Sequence, residues 1–441
     1  MSESLPLIRD YSPAAPLLWR GGVPLSQAGF LGACQRLSQQ LPAAGHAINL
    51  CEDRGNFLHA FGAALWRGQV SLLPQSRVAG AVREVARTFP GSYLLCDGEF
   101  EDIGVPSLRI GALAAPAFGG AVPQLPAAQA AAIAFTSGST GGPQPHVKSW
   151  RNLAVTAQMC SQRFLGNEAR GVNVIATVPP QHMYGLELSV MMALAGGCAI
   201  HAGRPFFAED VRAALAEVPA PRLLVTTPVH LKALAAAKLE FPAIRKIISA
   251  TAPLSVALAQ EAEVALGAPV HEIYGCTEAG SMCTRRTLDG ERWLPYPGLR
   301  MHHHEGMTHV TGPHLDAPVA TPDVIEAQDD GSIVLLGRSS DMIKVAGKRA
   351  SLTALTAKLL AIPGVEDGAM FVPHPERGDA RPAAVVVAPS LSEAQILAAL
   401  AQAVDPVFLP RPLKRVARLP RNALGKLPSE ELIRALDADR G

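Results

Sequence analysis

Several features are missing from this sequence, and each absence excludes a class of protein. No apolar run reaches the roughly 20 residues that a membrane helix requires, since the longest candidate, residues 186–200, contains Glu187 and two glycines. The first ten residues, MSESLPLIRD, carry acidic side chains and no apolar segment, so no secretory signal is expected. A net charge of +1 gives no general attraction to nucleic acid or to acidic membranes. We therefore expect a cytoplasmic protein without a membrane span and without a nucleic-acid partner.

The seven cysteines are scattered along the chain, and no pair has the C-x-x-C spacing. Such a set predicts reduced and mostly buried thiols, as in a cytoplasmic protein.

A length of 441 residues exceeds what one ordinary core can organise, so we expect two or more domains.

The stretch AAIAFTSGSTGGP, residues 131–143, is the most informative part of the chain. Its apolar start predicts a buried strand, and the Thr, Ser and Gly residues that follow offer hydroxyls and unhindered N–H groups to a phosphate. The stretch fits neither G-x-x-x-x-G-K-[ST], because Pro143 and Gln144 replace Gly and Lys, nor the dinucleotide fingerprint. It predicts a nucleotide-handling enzyme, with a flexible Ser/Gly linker as the alternative.

Strand-like and helix-like segments alternate in two parts of the chain. Apolar runs at 47–51 and 70–73 flank a helical pattern at 57–66, and the same rhythm returns between residues 172 and 274. This alternation predicts an α/β fold with parallel sheets. Loops rich in Pro, Gly, Thr or His follow the strands. Because ligands bind beyond the carboxyl ends of such strands, we expect these loops to gather at one edge.

The segment from residue 338 onward has a different composition, being rich in Lys and Arg with shorter helical and strand patterns. We expect residues 338–441 to form a small α+β domain and residues 1–337 to form the large domain.

Seven short motifs occur in a fixed order along the chain. They are TSGSTGGP (136–143), PPQHMYG (179–185), SATAPL (249–254), YGCTE (274–278), TPD (321–323), GRSSDMIKVAGKR (337–349) and PRNALGK (420–426). Together they resemble the adenylate-forming (AMP-binding) superfamily of acyl- and aryl-CoA synthetases, luciferases and peptide-synthetase adenylation domains. The resemblance implies a large N-terminal domain with parallel-sheet βα layers and a shortened N-terminus. It also implies a small mobile C-terminal domain that swings about a hinge at Ser340.

The resemblance also implies a two-step reaction. A carboxylic acid reacts with ATP to give acyl-AMP and pyrophosphate, and a phosphopantetheine thiol of CoA or of an acyl carrier protein then displaces AMP. An anion approaches a polyphosphate in the first step, so Mg²⁺ and a Lys are needed to neutralise charge. The motifs carry these roles over to Glu278 as the Mg²⁺ carboxylate, Thr277 as the α-phosphate donor and Lys426 as the catalytic lysine of adenylation.

The same motifs imply the nucleotide site. The residues that would bind ATP and AMP are Thr136, Ser137, Gly138, Ser139, Thr140, Gly141, Ala250, Tyr274, Asp323 and Arg338. Tyr274 would pack on adenine, while Asp323 and Arg338 would contact the ribose. In the second step Gly347 would line the tunnel for the thiol, and Arg349 would meet a phosphate of the thiol carrier.

The acid is expected to be an aromatic or medium acyl carboxylate. Amino-acid-activating relatives place an Asp in the segment that matches PPQHMYG, and this chain has no acidic residue before Glu187. His182, a further catalytic candidate, and Tyr184 resemble the His-x-Tyr of aryl- and cinnamate-type ligases; the alternative is that they only shape the loop. The other residues expected to line the acid site are Val190, Met191, Thr227 and Ser281.

The chain departs from the family pattern where a phosphate-loop Lys is usual, because Gln144 stands there and Lys148 is the nearest substitute. A non-catalytic or regulatory nucleotide-binding relative is therefore the alternative function. The compact size and the STGGPQPHVKSW variant are similar to stand-alone ligases of aryl-polyene- or polyketide-type clusters. No carrier-protein Ser motif precedes the end at Gly441, so any acyl carrier protein is expected to be a separate chain.

Overall fold

The computed structural model describes residues 3–111, 116–137, 143–373, 381–419 and 429–437. In this described part of the chain, none of the helices is both long and apolar enough to cross a membrane.

The chain forms two compact units, residues 1–300 with 311–319 and residues 301–310 with 320–441. The units thus divide ahead of the expected boundary at 337/338. The expected boundary between the large domain and the small mobile domain stays a prediction.

The first unit contains two sheets and the helices that cover them. Its strands are β1 Ser4–Pro6, β2 Pro16–Arg20, β3 Val23–Ser26, β4 His46–Asn49, β5 Val70–Leu73, β6 Tyr93–Cys96, β7 Ser107–Arg109, β8 Gln124–Pro126, β9 Ala130–Ser137, β10 Pro143–Ser149, β11 Asn173–Ala176, β12 Ala199–His201, β13 Arg222–Thr226, β14 Lys246–Ser249, β15 Val270–Cys276, β16 Gly280–Arg286 and β17 Arg292–Pro295. Its helices are α1 Gln27–Gln40, α2 Arg54–Trp66, α3 Ala79–Thr88, α4 Trp150–Leu165, α5 Met183–Gly185, α6 Met191–Leu194, α7 Ala208–Glu217, α8 Pro228–Ala236 and α9 Val256–Leu266.

One sheet has the order β10-β9-β5-β4-β6-β7, and β10 is its antiparallel edge strand. In the other, the strands of the first unit follow the order β17-β16-β15-β14-β13-β11-β12-β2-β3, with a parallel centre from β15 to β2. The expected α/β class with parallel sheets is confirmed. The main core joins side chains of both sheets to α1, α2 and α4, with Phe57, Phe61 and Trp150 fully buried.

Polar side chains at the helix starts explain where several helices begin. Asp53 accepts from Asn56 N ahead of α2, and Ser149 and Asn152 form a reciprocal capping box at α4. Thr227 caps α8, whose first residue is Pro228. Each of these caps immediately follows a strand or its loop, so the chain turns directly from sheet to helix.

The second unit is smaller and mixes short hairpins with helices. Its strands are β18 Arg300–His304, β19 Met307–Thr311, β20 Val319–Thr321, β21 Asp323–Ala327, β22 Ile333–Arg338, β23 Met342–Val345, β24 Lys348–Ser351, β25 Asp367–Phe371, β26 Ala383–Val387 and β27 Leu413–Arg415. Its helices are α10 Leu352–Leu360, α11 Glu393–Leu400 and α12 Ser429–Asp437. The β25-β26-β27 sheet packs on α10 and α11 through a separate apolar core.

Candidate active site

Three loops meet beyond the carboxyl ends of β11, β13 and β14, as the α/β pattern predicts. The Tyr184 hydroxyl, which follows β11, donates to the carbonyl oxygens of Thr226 (3.1 Å) and Ile248 (2.9 Å). Tyr184 therefore ties its own loop to the ends of the two neighbouring strands, which is the loop-shaping role left open by the sequence.

The residues expected to contact the acid differ in how accessible they are. His182 is exposed, whereas Val190 is fully buried and the Thr227 hydroxyl lies 2.9 Å from His230 Nδ1 as part of the α8 cap. Ser281 is also buried, and its hydroxyl donates to Glu187 at 2.6 Å. Among these side chains, His182 is the one best placed to meet a ligand.

Beside the end of β11, the structure reveals positive charge that no sequence motif indicated. Arg54 is fully buried and donates to Ser189 Oγ (3.0 Å) and to the carbonyl oxygens of Gly203 (2.6 Å) and Val178 (2.6 Å). Because all three acceptors are neutral, burial lowers the pKa of Arg54 to about 9.

Arg204 adds to this positive field beside the acid-site loop. The pKa of His182 is lowered, first because surrounding atoms displace water from its ring and second because of the Arg204 charge. His182 keeps an accessible edge despite this desolvation, as expected for a side chain in a recess. A neutral imidazole beside a cation is suited to an anionic substrate.

The carboxylate expected to hold magnesium lies beside the strand that leads into the Ser/Gly-rich loop. Thr136 Oγ1 on β9 is 2.9 Å from His146 Nε2 on β10, and the same Nε2 is 3.6 Å from Glu278 Oε1. Partial burial lowers the pKa of His146, an effect that the neighbouring Glu278 opposes. His146 was not among the candidates from the sequence, although it lies only two residues beyond Gln144.

Glu278 fits a magnesium ion that arrives with a nucleotide. Its side chain is 41% exposed, and Mg²⁺ is usually bound by one or two carboxylates together with waters and substrate phosphates. The described residues contain no group of three or more His, Cys, Asp or Glu side chains that could form a protein-only metal cage. The chemistry of the donor therefore fits a Mg²⁺–ATP site.

Lys148 on β10 contacts the backbone at Glu278. It is 5% exposed, and its Nζ donates to the backbone carbonyl of Glu278 at 2.6 Å. Burial lowers the pKa of Lys148, whereas the nearby charge of Glu187 opposes this shift. This contact holds the backbone at Glu278. The role of Lys148 as a substitute for the usual phosphate-loop lysine stays a prediction.

Three further nucleotide candidates have defined surroundings. Ala250 is buried at the end of β14, with 8% exposure. The Tyr274 ring lies 5.9 Å from the Trp293 ring in an edge-to-face arrangement. Thr277 is half-buried next to Glu278.

In the second unit, the expected ribose contacts are brought together. Asp323 and Arg338 face each other across β21 and β22, with Arg338 Nε 3.5 Å from Asp323 Oδ1. Gly347, the tunnel candidate, has a φ of +82° in the two-residue turn between β23 and β24.

Several candidates cannot be placed in this way. Lys426, Gly138, Ser139, Thr140 and Gly141 lie outside the described residues. For Ser137, Ser340 and Arg349 the structure gives the backbone position only.

These contacts join residues from motifs that are far apart in the chain. Comparison with known proteins identifies the family. Residues 93–308 match the family described as AMP-binding enzyme. The chain is 26% identical over 350 residues to "Probable CoA ligase CCL5" of Humulus lupulus, which covers 69% of this chain and 63% of that protein. It therefore spans less than two thirds of that relative's length.

Another relative and two solved structures extend the comparison. A 4-coumarate–CoA ligase of Halorhodospira halophila is 30% identical over 307 residues, covering 66% of this chain and 73% of that protein. O-succinylbenzoate coenzyme A synthetase from Bacillus subtilis, solved with AMP, has a TM-score of 0.80 at 19% identity and covers 98% of both chains. ATP-bound MatB from Rhodopseudomonas palustris has a TM-score of 0.76 at 21% identity, covering 98% of this chain and 97% of that one. Both structures share the fold, and the chain belongs to the AMP-binding, or adenylate-forming, enzyme family.

Proposed function

We propose that this protein is an acid–thiol ligase. A carboxylate oxygen of the acid attacks the α-phosphorus of ATP, the bond to the bridging oxygen breaks, and acyl-AMP and pyrophosphate form. The sulfur of a phosphopantetheine thiol then attacks the acyl carbon, AMP leaves, and the thiol proton passes to solvent. The placement of Glu278 beside Thr136 and His146, at the strand leading into the Ser/Gly-rich loop, is the observation that carries this proposal.

The chain's own residues divide the work of the first step. Glu278 would hold the Mg²⁺ that comes with ATP, and this ion would supply charge neutralisation at the phosphates. Thr277 donates to the α-phosphate, and Lys426 bridges the carboxylate and the α-phosphate as charge develops there. Asp323 and Arg338 hold the ribose, and Tyr274 contacts the base.

The acid is an aromatic or medium acyl carboxylate rather than an α-amino acid. The first acidic residue after the PPQHMYG segment is Glu187, which is 2% exposed and accepts two hydrogen bonds from Ser281. It is therefore not free to pair an ammonium group. Arg204, whose charge acts on His182, offers positive potential to a carboxylate instead.

The acceptor is the thiol of CoA or of a separate acyl carrier protein, both of which carry the same phosphopantetheine arm. Relatives named CoA ligases favour CoA. We place the reaction in the cytoplasm, since all seven cysteines are free thiols.

ATP–pyrophosphate exchange with a panel of aryl and medium-chain acids tests the proposal. We expect at least one acid to support exchange. ATP binding without exchange for any acid would instead support the alternative of a regulatory nucleotide-binding relative, which the absence of the usual lysine at Gln144 allows.

Replacement of the catalytic lysine should separate the two steps. Lys426→Ala is expected to reduce exchange by about 10²–10³-fold, as for the loss of one transition-state donor. Thioester formation from supplied acyl-AMP should be retained. Lys358→Ala, which removes an exposed lysine of the same unit whose Nζ contacts Ala403 O, serves as the control. An equal loss of both steps would contradict the role of Lys426.

A further inference from the structure

Three buried ionisable side chains hold consecutive parts of one short backbone segment. Lys148 Nζ donates to Glu278 O at 2.6 Å, His314 Nε2 lies 2.8 Å from Ala279 O, and Glu187 accepts from Ser281 N at 3.1 Å. The exposures of Lys148, Glu187 and His314 are 5%, 2% and 1%. Three buried side chains thus hold the backbone of residues 278–281 in place.

The opposite charges of Lys148 and Glu187 lower the cost of burying these two side chains. Both side chains, together with His314, line one small cavity of about 10 Å³. A single buried charge without compensation is costly, whereas two opposite charges in one cavity offset part of that cost. Removing Lys148 would leave the buried Glu187 without this compensating charge.

The backbone of the segment also fits closely against Glu187. Gly280 has a φ of +73°, and a Cβ added there would come within 2.5 Å of Glu187 Oε1. Only glycine allows the backbone to pass this carboxylate at such a short distance. The contact leaves little freedom for residues 278–281 to shift relative to Glu187.

Above this support, the Glu278 side chain remains accessible. Its backbone carbonyl is held by Lys148, while its carboxylate is 41% exposed and 3.6 Å from His146 Nε2. A single carboxylate that must meet a metal ion benefits when its backbone is already fixed, because less freedom is lost on binding.

We propose that Lys148, Glu187 and His314 are positioning residues, which hold residues 278–281 so that the Glu278 carboxylate faces nucleotide-bound magnesium. This inference rests on the proposed function of Glu278. It assigns to Lys148 a role in the metal site that does not require contact with phosphate.

The test measures metal binding and backbone mobility rather than turnover. Lys148→Met keeps the length of the side chain and removes the donor. Binding of Mn²⁺ with α,β-methylene-ATP, followed by electron paramagnetic resonance, should weaken by about tenfold or more. Amide hydrogen exchange in residues 277–281 should become about tenfold faster.

Lys246→Met is the matched control. Lys246 is another partly buried lysine whose Nζ donates to a backbone carbonyl, that of Phe164 at 2.8 Å. Its removal should lower stability without changing Mn²⁺ binding or exchange in residues 277–281. If Lys148→Met does not fold, Glu187→Gln replaces it, since glutamine still accepts from Ser281 but carries no charge.

A double mutant separates a positioning effect on Glu278 from a general loss of stability. In a Glu278→Gln background, Lys148→Met should cause no further loss of Mn²⁺ affinity. Wild-type affinity in Lys148→Met, or a full additional loss in the double mutant, would overturn the inference. Lack of pyrophosphate exchange by the wild-type enzyme with every acid would instead count against the proposed function, while these binding results would still decide the positioning role.

Discussion

Thr251 adopts a backbone conformation that costs energy. Its φ is +81°, which is rare for a β-branched residue. It directly follows Ala250 at the end of β14. The side chain of Thr251 is exposed, so burial does not compensate for the strain.

Thr251→Gly should therefore stabilise the protein. Relief of roughly 1–2 kcal/mol of strain exceeds the entropic cost of glycine, about 0.5–1 kcal/mol. We expect a gain of about 0.5–1 kcal/mol in the free energy of unfolding by urea. Lys238→Gly, at a position with φ +51° but without β-branching, should gain less. A loss of stability in Thr251→Gly would mean that the threonine side chain makes a compensating contact.

Sequence patterns suggested candidate residues for the site but not the contacts between them. Thr136 and Glu278 were both expected near phosphate, and His146 now links them. The contact of Lys148 with Glu278 joins positions 130 residues apart. No local periodicity encodes such a contact, because it depends on how the two sheets pack together.

Among the elements, the two-residue turn between β23 and β24 requires a positive φ at both of its positions. Ala346 and Gly347 have φ values of +48° and +82°, as in the type I′ turns that favour Asn-Gly. The first position is thus occupied by a residue that is strained there, and the second by the residue that suits it.

Substitutions in this turn should have opposite signs. Gly347→Ala is expected to destabilise the second unit by about 1–2 kcal/mol, and Ala346→Gly to stabilise it by a few tenths to about 1 kcal/mol. Thermal unfolding of the full chain, with hydrogen exchange of residues 342–351, measures both. Two substitutions of the same sign would show that turn strain does not decide the outcome.

The apolar run at 70–73 predicted a strand, and Val70–Leu73 has those bounds. The helical segment over residues 186–194 is irregular, because a π-helical turn, Leu186–Val190, precedes the short α6. Ser189 Oγ donates to Gly185 O at 2.5 Å and accepts from Arg54. A hydroxyl bonded in this way disturbs the regular helix, and an arginine 135 positions away could not be inferred from the local pattern.

For the whole molecule, stability should depend on pH through a buried histidine. His59 is 7% exposed in the core-facing helix α2, and burial lowers its pKa from 6.5 to about 4. Below about pH 6.5 the unfolded chain binds a proton that the folded chain does not, so stability falls as pH decreases until the folded pKa is reached.

Between about pH 7.5 and about pH 5 this single residue should account for a loss of about 2 kcal/mol. Urea unfolding at the two pH values measures the change. His59→Leu, which cannot titrate, should show a smaller difference. An identical pH dependence in wild type and variant would show that His59 is already protonated when folded or is not the responsible group.

The family and the α/β fold could be predicted because the motifs and their order are local features of the sequence, and both are confirmed. The place where the chain divides into compact units could not. Residues 301–310 join residues 320–441 across an intervening segment that belongs to the first unit. Such an excursion depends on strand pairing between distant segments rather than on a change in composition.

The support beneath Glu278 also sets an order of events during folding. Lys148 comes from β10 of one sheet, whereas Glu278 follows β15 of the other. The segment that carries Glu278, the proposed magnesium carboxylate, can take its final form only after the two sheets have docked. Recovery of nucleotide–metal affinity during refolding should therefore trail the recovery of secondary structure, and it would report the completion of the first unit.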